Sequence, residues 1–359
     1  MNSVFYFSSE PSEFISRELG WKFFHLEYLG KLVNSSQDEN AISCVLLVGN
    51  NYKELKVLDV LKPNSVWIFL YADETYSPKL NRKLLSKKSV IGVIRAYPSS
   101  TQSLYKSLVM LSKSWLLSFK EVDALPKIRL ILATPRGIVF ILRKHFVTWL
   151  HLIFEKPNLS LMPGYTNLFA RAYCEALNIE ENSDMSLLDS FEQAVEFYAS
   201  KKYFINFVGQ KGKWWREYAI WKASSYFDGS EFFLTERAGF GGTINANGAS
   251  SKSAMEYLGI LRSSRFTLCP PGNYSYGSFR ILESLIARSI PVISPSFSWD
   301  SSFQITTESP EFNFQKSSWD KQFTRAREIT DWESRELIRS YVDGVKTNFK
   351  RVNQAIVGY

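Results

Sequence analysis

The stretch Ser264-Arg-Phe-Thr-Leu-Cys-Pro-Pro-Gly-Asn-Tyr-Ser-Tyr-Gly-Ser-Phe-Arg-Ile-Leu-Glu-Ser-Leu-Ile-Ala-Arg-Ser-Ile-Pro-Val-Ile-Ser-Pro295 decides the fold. It reads as a buried strand, a Gly/Pro/Ser loop, a helix starting near Gly277-Ser278, and a second buried strand. Working outward, similar apolar runs of three to five residues recur at Val4–Phe7, Cys44–Val48, Val66–Leu70, Val90–Ile94, Leu130–Leu132, Phe204–Val208, Phe232–Leu234, Phe266–Leu268 and Pro291–Ile293. Segments of helical spacing lie between many of them, Leu187–Lys202 among them, and the last segment, Asp331–Ile356, is helix-rich. Such alternation predicts an α/β chain with parallel sheets. The strands are too many for one compact sheet, so two Rossmann-like domains are expected. Pro163 and Gly164 break the pattern at Met162–Tyr165, which places the boundary there. The expected units are residues 1–165, residues 166–330, and a helical segment 331–359 that packs back on the first domain.

In open parallel sheets ligands bind beyond the carboxyl ends of the strands. Gly49-Asn50-Asn51, Asp73-Glu74, Arg95-Ala96-Tyr97, Gly209-Gln210-Lys211 and Pro270-Pro271-Gly272-Asn273 follow predicted strands and gather the polar groups a cleft needs. At the helix near Ser278 the first N–H groups have no intrahelical partner and the dipole favours an anion. Arg280 and Glu283, three apart, share a face of its first turns. An arginine there can hold a phosphate with two parallel hydrogen bonds, and a carboxylate can accept from the two hydroxyls of a ribose. The pair suits a nucleoside diphosphate sugar. The same spacing also suits an ordinary i,i+3 ion pair on a surface helix.

The stretch resembles the C-terminal half of the exostosin-like glycosyltransferases, the family that includes ribitol xylosyltransferase-type enzymes. The likeness rests on Ser264, Arg265, Phe266, Leu268, Cys269, Pro270, Gly272, Arg280, Glu283 and Ile290-Pro291-Val292-Ile293. Ser284 stands where the family usually has Ala, and Arg288-Ser289 where Gly-Cys is common. Upstream, Phe207-Val208-Gly209 with Lys213 and Arg216 resembles the family's basic cluster facing the donor phosphates. Asp73-Glu74, Arg95-Ala96-Tyr97 and Pro163-Gly164-Tyr165 resemble further elements in the same order. The resemblance covers about Leu70 to Pro295 and leaves the first 65 residues without a match.

The resemblance implies a GT-B fold with acceptor bound by the N-terminal domain and a nucleotide-sugar, UDP-linked, by the C-terminal one. It implies inverting transfer to a glycan or lipid-linked glycan of a surface polysaccharide. Donor-binding residues would be Gly209, Lys213, Arg216, Pro270, Gly272, Ser278, Arg280 and Glu283. No metal or other cofactor is expected, in keeping with the missing D-x-D after a strand and the lack of metal-ligand spacing. An inverting displacement needs a general base. Asp73 and Glu74, at the end of a predicted strand, are the candidate catalytic residues, although a helix cap would use the same residue types. His25 and Glu27 are the rival pair. Transfer of a polyol phosphate is the alternative chemistry.

Composition narrows the rest. The chain has 359 residues, 45% hydrophobic and 22% charged, which excludes a disordered or fibrous protein. Cys44, Cys174 and Cys269 are too few and too scattered for a disulfide scaffold and fit a reducing compartment. Met1–Phe7 has neither a basic start nor a long apolar run, so no secretory signal is expected. The net charge of +8 is uneven: residues 82–156 hold 14 basic and 3 acidic side chains. Such an excess calls for an acidic partner. Gly137–Phe154, apolar with Arg143, Lys144 and His145 among its residues, is predicted to be a helix suited to an anionic membrane surface, or else a partly buried domain helix. A location in the cytoplasm, peripheral on the inner face of the cytoplasmic membrane, is expected. No helix-turn-helix, zinc or RNP motif points to nucleic acid.

Overall fold

A computed structural model describes residues 3–6, 30–33, 44–48, 52–59, 61–71, 77–95, 105, 108, 127–160, 167–178, 201–210, 214–228, 230–235, 252–270, 279–293 and 319–357. Six strands form one parallel sheet: β1 (Ser3–Tyr6), β2 (Gly30–Val33), β3 (Cys44–Val48), β4 (Val66–Tyr71), β5 (Val90–Arg95) and β6 (Asn158–Ser160), in the order β2-β1-β3-β4-β5-β6. Four more form a second parallel sheet: β7 (Tyr203–Gln210), β8 (Ser230–Thr235), β9 (Ser264–Cys269) and β10 (Ile290–Ile293), in the order β10-β9-β7-β8. Both are α/β sheets compatible with a Rossmann-like fold. The first sheet draws on residues 3–160 and the second on residues 203–293.

Eight α-helices accompany them among the described residues: α1 (Pro78–Leu85), α2 (Lys127–Ile153), α3 (Asn167–Leu177), α4 (Trp214–Tyr226), α5 (Ala254–Arg262), α6 (Phe279–Ile286), α7 (Trp319–Glu328) and α8 (Asp331–Val357). Leu130–Leu132, expected as a strand, lies inside α2. Three apolar residues fit a buried strand or a buried helix turn equally well, and here the run continues for seven turns. Pro135, within that helix, is exposed. Of the helix expected over Leu187–Lys202, only Lys201 and Lys202 are described, and they are not helical. The expected boundary at Met162–Tyr165 lies outside the described residues.

Burial on both faces explains the near-continuous apolar strands. Successive residues of β4 point to opposite sides: Val66, Ile68 and Leu70 pack with Leu80, Leu84 and Leu85 of α1 and with Leu150 of α2. Trp67 and Phe69 join Cys44 and Ile94 in a cluster shared with the second sheet and with α3, α5, α6 and α8. The register between β4 and β5 shifts at Val66/Trp67, leaving Ile91 as an extra residue. Gly92 thus faces Trp67: a Cβ there would stand 2.6 Å from the indole ring and 2.8 Å from the Pro157 carbonyl. Helix α8, opened by a Thr330–Glu333 capping box, touches both β1 and β10.

Polar side chains tie the second sheet internally. Asn206 of β7 donates to the Phe266 carbonyl at 3.0 Å and to Thr267 Oγ1 at 2.7 Å, and Thr267 Oγ1 meets Ser289 Oγ at 2.7 Å. Helix α6 ends in a Schellman turn: the Ser289 N–H bonds the Ser284 carbonyl and the Arg288 N–H bonds the Leu285 carbonyl. Arg288 takes the left-handed position of that turn, with φ of 60°, where glycine is the usual occupant.

Lys201 lies beneath, and its Nζ donates to the Arg262 carbonyl at 2.7 Å and the Arg288 carbonyl at 2.8 Å. Burial first, then the Arg288 and Arg262 charges, push its pKa down to about 7. A neutral amine has two N–H donors, matching the two carbonyls. The folded value lies below the unfolded value of about 10.4, so between pH 7 and 10 the unfolded chain binds more protons and stability rises with pH. We expect the unfolding free energy of the wild type to gain on that of Lys201→Met as pH is raised from 6.5 to 9.5. Equal pH profiles in urea titrations of the two proteins would show that Lys201 is not buried as described.

Candidate functional site

The second sheet reverses its winding between β7 and β9: the chain leaves β7 toward β8 on one side and leaves β9 toward β10 on the other. The connections diverge there, which makes the carboxyl ends of β7 and β9 the ligand crevice of such a sheet. Two helices begin past those ends. Helix α4 follows β7 across residues 211–213, and α6 follows β9 and Pro270 across residues 271–278. The first turn of a helix carries backbone N–H groups that have no intrahelical partner and the positive end of the helix dipole.

Arg280 and Glu283 stand in the first turns of α6, and both are buried, at 6% and 3% exposure. This burial distinguishes them from a surface i,i+3 pair. Arg280 Nη2 donates to the Val208 carbonyl at 2.7 Å, and its guanidinium carbon lies 4.9 Å from the centre of the Phe207 ring. Gly209 makes this reach feasible, since a Cβ at Gly209 would stand 2.8 Å from Arg280 Nη2. The Phe207-Val208-Gly209 run therefore seats the arginine by its ring, its carbonyl and its missing side chain.

Glu283 Oε2 accepts a 2.8 Å hydrogen bond from Tyr257 Oη of α5. Tyr257 is fully buried, and burial first and the Glu283 charge second hold its pKa well above the usual phenol value; Arg280 opposes them. The phenol therefore stays protonated and remains a donor to the carboxylate. Tyr257 escaped the sequence reading because it comes from another helix. Ser253 caps α5 in a capping box with Glu256, and this cap sets where Tyr257 falls.

Ser284 donates back to the Arg280 carbonyl and meets Cys269 Sγ at 3.7 Å. The Cys269 thiol, enclosed in the core, is pushed up to about 12, chiefly by burial. It remains a neutral thiol rather than a nucleophile.

The structure thus brings together Gly209, Pro270, Arg280 and Glu283 at the ends of β7 and β9, with Arg216, half-exposed, in the first turn of α4. Lys213, Gly272 and Ser278 lie outside the described residues, as do Asp73, Glu74, His25 and Glu27. Among the described residues no three His, Cys, Asp or Glu side chains gather as metal ligands.

Arg95, at the end of β5 in the first sheet, is 2% exposed and turned into the protein. Its Nε donates to Asn158 Oδ1 at 3.1 Å, and its Nη2 donates to Asn81 and reaches His151 Nε2 at 3.4 Å. A carbonyl only accepts, so His151 Nδ1 carries the proton it gives to Lys156 O at 3.0 Å, and Nε2 is the acceptor for Arg95. Burial, then the Arg95 charge, lower His151 to about 3 and keep it neutral. This cluster locks α1, α2 and β6 to the end of β5. Compared with family models and with curated proteins, the chain matches none.

Proposed function

We propose that the chain is an inverting, metal-independent glycosyltransferase of GT-B architecture that takes its sugar from a nucleotide-sugar, UDP-linked, and passes it to a glycan acceptor. The observation that carries the reading is the buried Arg280–Glu283 pair at the winding reversal of the second sheet, between two helix N-termini.

In this reading the diphosphate lies across the N-termini of α4 and α6. Arg280 uses one N–H on Val208, which fixes its plane, and offers others of its five donors to the phosphate oxygens. Lys213 and Arg216 add charge from the β7 side. Glu283, steadied by Tyr257, accepts from the ribose hydroxyls. The base, Asp73 or Glu74 after β4, takes the proton of the acceptor hydroxyl. The hydroxyl oxygen bonds to the anomeric carbon as the bond from that carbon to the diphosphate breaks on the opposite face. The cations and helix dipoles hold the departing charge, a role a metal plays elsewhere.

A thermal-shift screen of nucleotide-sugars and nucleoside diphosphates tests this. A true donor raises the melting temperature by linkage, worth about 2.7 kcal/mol at 100 times its dissociation constant, and its transfer persists in excess chelator. If none of these compounds stabilises the protein, the reading fails.

A further inference from the structure

Helix α2 buries one face and exposes another that is just as apolar. Phe140, Lys144, Val147, Leu150 and His151 are buried. On the other side, Ile138, Leu142, Phe146, Trp149 and Ile153 recur at helical spacing and are exposed, Trp149 by 53%; Leu152 beside them is exposed by 72%. The Phe146 and Trp149 rings stand 5.5 Å apart. From Ile138 to Ile153 the row runs about 23 Å at 1.5 Å per residue. No helix among the described residues is long and apolar enough to cross a membrane.

The charges around the row say what covers it. The 27 residues of α2 include no acid. Arg143 is exposed next to Leu142, and α1, packed on α2, presents Lys79, Arg82 and Lys83 to solvent. A second copy docked on the same face would set these cations against their own counterparts, which opposes self-association. A sheet of phosphate headgroups over acyl chains complements both features at once. Apolar side chains enter the acyl boundary, the indole sits at the interface, and the basic side chains reach the phosphates.

We propose that α2 is an interfacial helix that seats the protein on an anionic phospholipid surface through Leu142, Phe146, Trp149 and Leu152, with Arg143 and the basic face of α1 on the headgroups. The proposal uses none of the residues of the candidate donor site and stands or falls apart from the transfer reading.

Flotation of the full chain with vesicles of phosphatidylcholine alone, or of phosphatidylcholine with phosphatidylglycerol, tests it. The wild type is expected to float with the anionic vesicles only, and less at high salt. The triple variant Leu142→Ser, Trp149→Ser, Leu152→Ser keeps the charge and is expected to lose at least tenfold in binding. Arg143→Glu changes the charge by two and is expected to lose about 25-fold, at about fivefold per charge near the surface. All four side chains are exposed, so unchanged melting temperatures are expected and confirm that the variants fold. Three results would overturn the proposal: no flotation with either vesicle, flotation that the triple variant retains, or a concentration-dependent dimer by light scattering that the triple variant abolishes.

Discussion

On the proposed transfer reading, Arg280→Ala is expected to lower turnover by about 10²–10³-fold, the usual loss when one donor to a developing negative charge is removed, and to abolish stabilisation by the nucleoside diphosphate of the donor. Its guanidinium is fixed by the Val208 carbonyl and by the Phe207 ring, so the charge arrives already oriented. The buried Glu283 carboxylate also loses its neighbouring cation, so the variant is expected to unfold more easily. A second variant separates these effects. Gly209→Ala keeps every charge but puts a methyl group 2.8 Å from Arg280 Nη2, which displaces the guanidinium. It is expected to weaken diphosphate binding while both buried charges remain. Calorimetric titration of each folded variant with UDP measures the change. Wild-type affinity and turnover in both would remove Arg280 from the donor site.

Gly92→Ala is expected to destabilise the protein by about 3 kcal/mol, the upper part of the range for an overpacked core. At about 2–4 °C per kcal/mol, the midpoint of thermal unfolding falls by roughly 6–12 °C. The new methyl meets the Trp67 ring and the Pro157 backbone, and neither yields cheaply: Trp67 is 1% exposed, and the Pro157 carbonyl already holds the Val93 N–H at 2.9 Å. Gly259 is the control. It lies in α5, and a methyl group there would meet nothing within 4 Å. Gly259→Ala is expected to stabilise by about 0.5–1 kcal/mol, as alanine does in a helix interior. Urea titrations of the pair check both signs. A Gly92→Ala protein as stable as the wild type would mean that the β4–β5 register shift is not as described.

The inner strands were legible in the sequence because each is covered on two faces, which leaves an unbroken apolar run such as Cys44–Val48 or Val66–Leu70. The two edges of the first sheet were not. Gly30–Val33 and Asn158–Ser160 are three or four residues long, pair on one side only, and carry Lys31, Asn158 and Ser160 among their few residues. Leu130–Leu132 misled because three consecutive apolar residues carry no period that tells a strand from a helix turn. Arg280 and Glu283 were readable from their spacing within one helix. Their burial, the part of Gly209 and the hydroxyl of Tyr257 depend on contacts between elements far apart in the chain, which spacing does not encode. Arg95, at the end of an expected strand, resembled a cleft residue. The structure turns it inward to Asn81, Asn158 and His151 instead.

Helix α8 touches β1 across more than three hundred residues of chain. During synthesis β1 leaves the ribosome more than three hundred residues ahead of α8, which follows only after both sheets have been translated. The first sheet therefore gains its contact with α8 only after the rest of the chain has been made. Contacts of such long range slow folding and leave unfinished surface exposed to aggregation and chaperones in the meantime. Refolding from denaturant should accordingly show formation of the α8–β1 contact among its late steps.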